Sequence, residues 1–523
     1  AFRALWIASL ASNIGLWIQN TTAGWLMTSL APSPVMVSLV QAAAMLPVFL
    51  FALPGGALAD ILDRRLTLIA AQLWIAGAGL LLAALTALGQ LDAWSLLALT
   101  FAIGAGTAVI FPAWAAATPE LVPHDDLVQA VALNGVSFNL ARALGPALGG
   151  FVMAAASPAA AFGLNAAGFL VLLWALIAWR RPVQPHTDLP RERLLSAVRA
   201  GLRFAVASSE MRAAILRACA FFFFASALWA LLPLIIREEL GLGPAAFGSM
   251  LGVGGCGAVA AGVMLPTLRA RFSQGRLVFL ASLLAYAAMA LLAIAHHWVP
   301  AALAVLVFGA AWLVAGSTLG TAAQMTAPAW ARARAMGVYH LAFFGAMAGG
   351  SVLWGWVGAR AGVPVALGVC AGLGALTAVV VRPWRLVSFA RGVIQRARRH
   401  HAKSLPQSQD PAAELMESLH DDSGRVLETV RYQVDPADRD AFLTAMMQVR
   451  DVRLRAGAAA WTLYVDVAQP DCWTELWAVD SWTEYLRHAV RLEEADRTAL
   501  ASAAALHRGS KPLQAVRHLN VDP

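Results

Sequence analysis

Gly55-Gly56-Ala57-Leu58-Ala59-Asp60-Ile61-Leu62-Asp63-Arg64-Arg65 joins two long apolar runs, 35–59 and 66–89. Its charges sit together at the junction, and each flank is long enough to cross the roughly 30 Å hydrocarbon layer as a helix. The same alternation of apolar run and short polar junction fills nearly the first three-quarters of the chain. Twelve runs qualify: 2–30, 35–59, 66–89, 93–118, 129–156, 159–180, 213–236, 244–267, 277–296, 299–323, 334–358 and 363–382. The opening run continues to Leu30, too long for the apolar core of a cleavable signal, so it reads as a spanning helix. Composition agrees: 523 residues, 59% hydrophobic, 13% charged and a mean hydropathy of +0.66 exclude both a soluble enzyme and a disordered chain as the main reading.

The net charge of +8 divides unevenly. Residues 421–523 carry 12 basic and 16 acidic side chains, leaving a net +12 for the first 420. The basicity therefore belongs to the apolar part, where it marks topology and not a nucleic-acid surface. With the first end inside, Arg64 and Arg65, Arg269, Arg271 and Arg276, Arg332 and Arg334, and the arginines of the 181–212 stretch all become cytoplasmic. Only Arg237 and Arg360 fall on the other side. Twelve spans with both termini in the cytoplasm follow, in a cell inner (plasma) membrane.

The spans divide six and six about a Pro- and Arg-containing stretch. The domains expected are a six-helix bundle at 1–182, a central loop with an amphipathic helix at 183–212, and a second bundle at 213–382. A basic amphipathic helix and linker occupy 383–420, and a soluble domain 421–523. An echo at a 200-residue offset, Gly145-Pro146-Ala147-Leu148-Gly149-Gly150 with Gly345-Ala346-Met347-Ala348-Gly349-Gly350, supports matched halves. Apolar stripes opposite arginines at 190–206 and 385–399 fit helices lying on anionic lipid at the cytoplasmic leaflet. The last hundred residues read β-α-β-β-α-β, a ferredoxin-like order, with a further helix near 493–507. The fold class is thus an all-α membrane protein of two six-helix bundles plus an α+β cytoplasmic domain. Cys219, Cys256, Cys370 and Cys472 are scattered without metal-ligand spacing, so no metal, disulfide or cofactor is expected.

Small residues at Gly55, Gly56, Ala57 and Ala59 allow close helix approach, and Asp60 ends its helix where a carboxylate can meet Arg332 or Arg334. In span five, Ala141, Gly145 and Gly149 form a small-residue stripe. Pro146 lacks a donor and bends the helix. Arg142 lies well inside the span, where a charge costs at least about 2.5–3.5 kcal/mol and calls for a cavity or a partner; Asn134 and Asn139 are placed to hydrate it.

The 55–65 junction resembles the signature loop of the major facilitator superfamily. Ile61 replaces the basic residue that usually follows the Asp, leaving Arg64 and Arg65 to supply the charge. The span-five motif Arg142, Gly145, Pro146, Gly149, Gly150 resembles that of exporters working by exchange. Trp17-Ile18-Gln19-Asn20, Gly24-Trp25-Leu26, Asp126-Leu127, Ala132-Leu133-Asn134 and Pro328 to Tyr339 resemble the enterobactin-exporter-like, or transmembrane secretion effector, branch. The tail, with Asp435-Pro436, Arg455-x-Gly457-Ala458, Trp461-x-Leu463-Tyr464-x-Asp466, Trp482 and His518-Leu519, is similar to antibiotic-biosynthesis-monooxygenase-type domains, which are small and dimeric. The resemblance implies the two-bundle fold, a conformational latch at Asp60, and export of a siderophore-, drug- or antibiotic-like molecule driven by protons.

No Asp or Glu occurs between Glu239 and Asp410, and none lies mid-span in the first half, so the usual carboxylate proton carrier is missing. Glu120 and His340 are the substitutes. Ser9, Asn13, Trp17, Asn20 and Gly24 share one face of span one; Asn13, Trp17 and Asn20 are expected to meet Asn139, Arg142 and Gln324 in a central cavity, with Phe221 to Phe224 as its apolar wall. The tail tryptophans bring no acid–base pair with them, so the tail reads as a dimerising or sensing module. The rival reading is a membrane-anchored enzyme or sensor whose tail carries the activity.

Overall fold

In the computed structural model the described residues are 2–61, 63–123, 126–179, 202–327, 332–384, 386, 407–408, 425–482, 484–485, 488, 492, 494–509 and 512–520; within helices, the side chains of 52–61, 119–120, 139 and 332–334, among others, fall outside the description. The amphipathic segments expected at 190–206 and 385–399 lie outside it except for 202–206 and 386. The chain forms two compact units, one made of 1–194, 213–322 and 339–386, the other of 195–212, 323–338 and 387–523.

The helices are α1 (Phe2–Leu30), α2 (Pro34–Ile61), α3 (Arg64–Ala87), α4 (Ala93–Leu121), α5 (Leu127–Ala155), α6 (Pro158–Ala178), α7 (Ser209–Leu234), α8 (Pro244–Arg271), α9 (Gln274–Ala293), α10 (Trp298–Thr326), α11 (Arg332–Ala361) and α12 (Val363–Val380). Among the described residues ten of them are long and apolar enough to cross a membrane. Of the other two, α1 carries Asn13, Gln19 and Asn20, and α5, which carries Asn134 and Arg142, includes residues whose side chains fall outside the description. Local chemistry sets the ends. Asp63 caps α3 by accepting from Leu66 N, Asp92 and Ser95 form a capping box on α4, and Ser157 with Pro158 opens α6.

Within the first half α1 packs on α5 and α6, α2 on α4, and α3 on α4 and α6. Gln19 and Asn165, both fully buried, bond side chain to side chain at 2.6 Å and lock α1 to α6. In the second half Phe221 and Phe222 are buried among Tyr286, Trp312 and Phe343.

The tail holds β1 (Gln407–Ser408), β2 (Val426–Gln433), α13 (Arg439–Arg455), β3 (Ala460–Val465), β4 (Cys472–Val479), α14 (Glu494–Ala504) and β5 (Gln514–Leu519). The sheet order is β1-β5-β2-β4-β3, antiparallel except where β1 meets β5. Tyr432, Phe442, Met446 and Trp473 centre its core.

Candidate functional site

Around Arg142 the geometry is set by main-chain contacts. A Cβ on Gly149 would lie 3.2 Å from the Ile18 carbonyl oxygen, and one on Gly145 would lie 3.0 Å from that of Ile14, so α5 lies directly on α1. A Cβ on Gly150 would fall 2.6 Å from the Cα of Gly248, so the motif also brings α5 of the first half against α8 of the second. Trp17 sits in the α1–α5 contact, edge-on to Phe138 at 6.4 Å. Arg142 is half-buried one turn before Pro146, and among the described residues it has no hydrogen-bond or ion-pair partner. Because Pro146 has no N–H, the Arg142 carbonyl loses its helical donor as well.

The other expected cavity residues are less concentrated. Asn134 Nδ2 donates to Thr118 Oγ1 at 3.3 Å and ties α5 to α4, a structural role in place of the expected hydration of Arg142. Asn13 donates to Ser9 within its own helix, at a long 3.5 Å. Asn20 is half-buried on α1, and Gln324 is exposed near the end of α10, in the other unit. The side chains of Asn139 and Glu120 lie outside the described residues. His340 is exposed, with ring neighbours Tyr339 at 5.6 Å and Phe344 at 6.4 Å.

The apolar wall needs a correction. Phe221 and Phe222 are core, because they point at α9 and α10. Phe223 and Phe224 instead line a cavity of about 490 Å³ with Phe49, Cys219, Leu341 and Gly345, where α2 of the first half meets α7 and α11 of the second. The sequence echo is also displaced by one residue. Gly350 packs on the Phe223 carbonyl and Ser226 of α7 as Gly149 packs on Ile18 and Thr21 of α1, whereas Gly345 receives the Phe49 ring.

At the 55–65 junction Gly55 and Gly56 are helical, and the side chains of Asp60, Arg332 and Arg334 lie outside the described residues, as does the expected contact between them. Arg64 is half-buried and has a partner. Arg65 donates from Nε to the Leu176 carbonyl at 3.3 Å and from Nη2 to that of Ile177 at 2.7 Å. Its charge is thus spent on the last turn of α6, where orphan carbonyls and the helix dipole favour a cation.

Several functional-looking groups escaped the sequence reading. Arg217, 3% exposed, donates to the carbonyls of Val381, Arg382 and Gly275 at 3.1, 2.9 and 3.3 Å. Arg269 reaches Ser317 Oγ at 2.9 Å and Thr321 Oγ1 at 3.2 Å. In the tail, Glu475 is fully buried between Arg453 Nε at 3.0 Å, Trp461 Nε1 at 3.1 Å and the Tyr432 hydroxyl at 3.1 Å. Glu428 accepts from Tyr485 and lies 4.0 Å from Arg453 and 3.7 Å from Arg517. Burial, and then Glu475, pushes the Tyr432 phenol well up; burial and Glu428 push Tyr485 up to about 12. Alternation along β4 held the signal, since Trp473, Glu475 and Trp477 must share one face.

The family described as transmembrane secretion effector matches residues 1–522. The enterobactin exporters EntS of Escherichia coli O1:K1 / APEC and of Shigella boydii serotype 18 are each 29% identical over 395 residues, 75% of this chain and 93% of theirs. Among solved structures, a POT family transporter in complex with 5-aminolevulinic acid superposes with a TM-score of 0.60 at 13% identity, covering 73% of this chain and 95% of that one. A bacterial homolog of the human lysosomal transporter Spinster gives 0.55 at 14% identity, covering 75% and 92%. With ten apolar helices of spanning length among its described residues, this chain is a multi-pass membrane protein that belongs to the transmembrane secretion effector family of major-facilitator transporters.

Proposed function

We propose that the chain is a secondary transporter of the inner (plasma) membrane that exports a small organic anion, siderophore-, drug- or antibiotic-like, by alternating access. In this reading α1 and α5 also span, which makes twelve crossings with both termini in the cytoplasm, and the tail is a ferredoxin-like domain that dimerises or senses a ligand. The strand order and the exporters among its relatives support these readings over a membrane-anchored enzyme.

The observation that carries the proposal is Arg142: a guanidinium inside a span, beside the α1–α5 contact, with no acid partner among the described residues. A cation held there without a counter-ion favours a cargo that brings the negative charge itself. Asn13, Trp17 and Asn20 on α1, the helix against which α5 lies, would supply the polar part of the cavity. The Phe223–Phe224 wall offers room for an apolar part. Exchange against protons would run through Glu120 or His340, the Asp60 latch with Arg332 and Arg334 would close the cytoplasmic end, and anionic lipids would hold the amphipathic segments.

The test is efflux from cells and from vesicles with imposed proton gradients. R142A is expected to lower efflux of a catecholate or carboxylate probe about tenfold or more, with a smaller effect on a neutral dye. D60N should slow both probes. If R142A handles every probe like the unaltered protein, the cargo assignment is wrong.

A further inference from the structure

Arg237 breaks the charge asymmetry of the loops, and the structure gives it a position that topology alone does not explain. It lies in a π-helical turn, Ile235–Glu239, that extends α7. Its Nη1 donates to Thr28 Oγ1 at 2.7 Å and to Ser29 Oγ, both at the end of α1. Thr28 spends its own hydroxyl proton on the Trp25 carbonyl at 2.6 Å, so its oxygen faces the guanidinium as an acceptor. The guanidinium carbon also stands 5.9 Å from the centre of the Trp25 ring, and that ring stacks on Phe247 of α8 at 5.6 Å. One turn along the same contact, Gly24 meets Pro233.

These contacts join the first helix of one half to the first two helices of the other. Alternation of the spans puts the end of α1, the start of α2, the end of α7, the start of α8 and the end of α11 on one membrane face. At that face the halves touch twice more. Gly150 meets Gly248 across α5 and α8, and Gly355 of α11 closes on Ser38 and on the Pro34 carbonyl of α2. The structure is therefore drawn together at the end opposite the 55–65 junction.

We propose that Arg237 is the gate residue that holds this end of the transport path shut, resting on the alternating-access reading above. Its acceptors are two hydroxyls and a ring face. Ser29 is already exposed; parting the halves hands the buried Thr28 hydroxyl and Trp25 face to water as well and leaves no buried carboxylate behind, so the gate can open without separating an ion pair. A guanidinium suits this seam because one planar group reaches both hydroxyls and the indole.

The test uses the full-length protein in its membrane, with the four native cysteines replaced and S38C as reporter. Ser38 is fully buried at the α2–α11 contact, on a different helix pair from the clasp, so its exposure reports opening of the whole face. A membrane-impermeant maleimide is applied to that face. R237A is expected to speed labelling about fivefold or more, the size of a modest coupling between sites. R237K, which keeps the charge and can reach a hydroxyl, should fall between. T28V combined with S29A removes the acceptors and keeps the cation; it should reproduce R237A, whereas an arginine serving only topology would leave it silent. This second variant also decides the matter if R237A fails to reach the membrane. Labelling that is measurable in the parent and unchanged by both variants overturns the gate while alternating access stands. A reporter that reacts only in denatured protein, in every background, overturns both.

Discussion

The two units hold their arginines in opposite ways. In the membrane unit Arg65 and Arg217 are held by main-chain carbonyls, and Arg237 and Arg269 by hydroxyls. In the tail Arg453, Arg455, Arg508 and Arg517 all face carboxylates. From Leu240 to Gln409 the chain has no acid, so that stretch offers an arginine only neutral acceptors of its own. Carbonyls left over at helix C-termini are the nearest supply. An ion pair in a poor dielectric resists separation, because each charge then stands alone. Neutral acceptors can be traded for water at smaller cost. The membrane unit can thus exchange partners as its helices move, whereas the tail is built to keep one arrangement.

That contrast can be broken first in the tail. E475A strips Arg453 of its nearest counter-charge in a buried setting and is expected to cost about 3–5 kcal/mol. Hydrogen exchange along Cys472–Val479 in the full chain would read it, and protection equal to the parent would end the comparison. In the membrane unit R217A gives up bonds to three carbonyls; about 2–3 kcal/mol of thermal stability in detergent should go, with part recovered by R217K. A loss as large as that of E475A would show that neutral acceptors hold as firmly as carboxylates. The smallest effect concerns pH. The Tyr485 phenol is raised to about 12, so it contributes stability that is complete below its unfolded value near 10 and is lost as pH rises toward 12. A phenolate absorbance difference between the parent and Y485F should have its midpoint near 12; a midpoint near 10 would remove the Glu428 contact from the account.

The helices were legible because hydrocarbon imposes one requirement on every residue of a span, and that requirement is visible as a run. The strands of the tail were legible from alternation, as in Trp473, Glu475 and Trp477. The partners of the arginines were not. Arg65 meets a carbonyl 112 positions away and Arg217 one 165 positions away, and every residue type offers the same carbonyl. Pattern reading therefore had no side chain to recognise, and it assigned Arg65 to the latch. The aromatic wall was half legible. Four consecutive phenylalanines announce an apolar surface, but a helix turns 100° per residue, so Phe221 and Phe222 went to the core and Phe223 and Phe224 to the cavity.

The contact of Gly150 with Gly248 has one more consequence. Where two backbones bear directly on each other, no rotamer has to change for one to roll over the other. Such a seam works as a bare hinge pin, its clearance fixed by covalent geometry. A single added methyl on either strand of the pin would act as a wedge and hold the two halves apart at that point, however well the remaining surfaces matched.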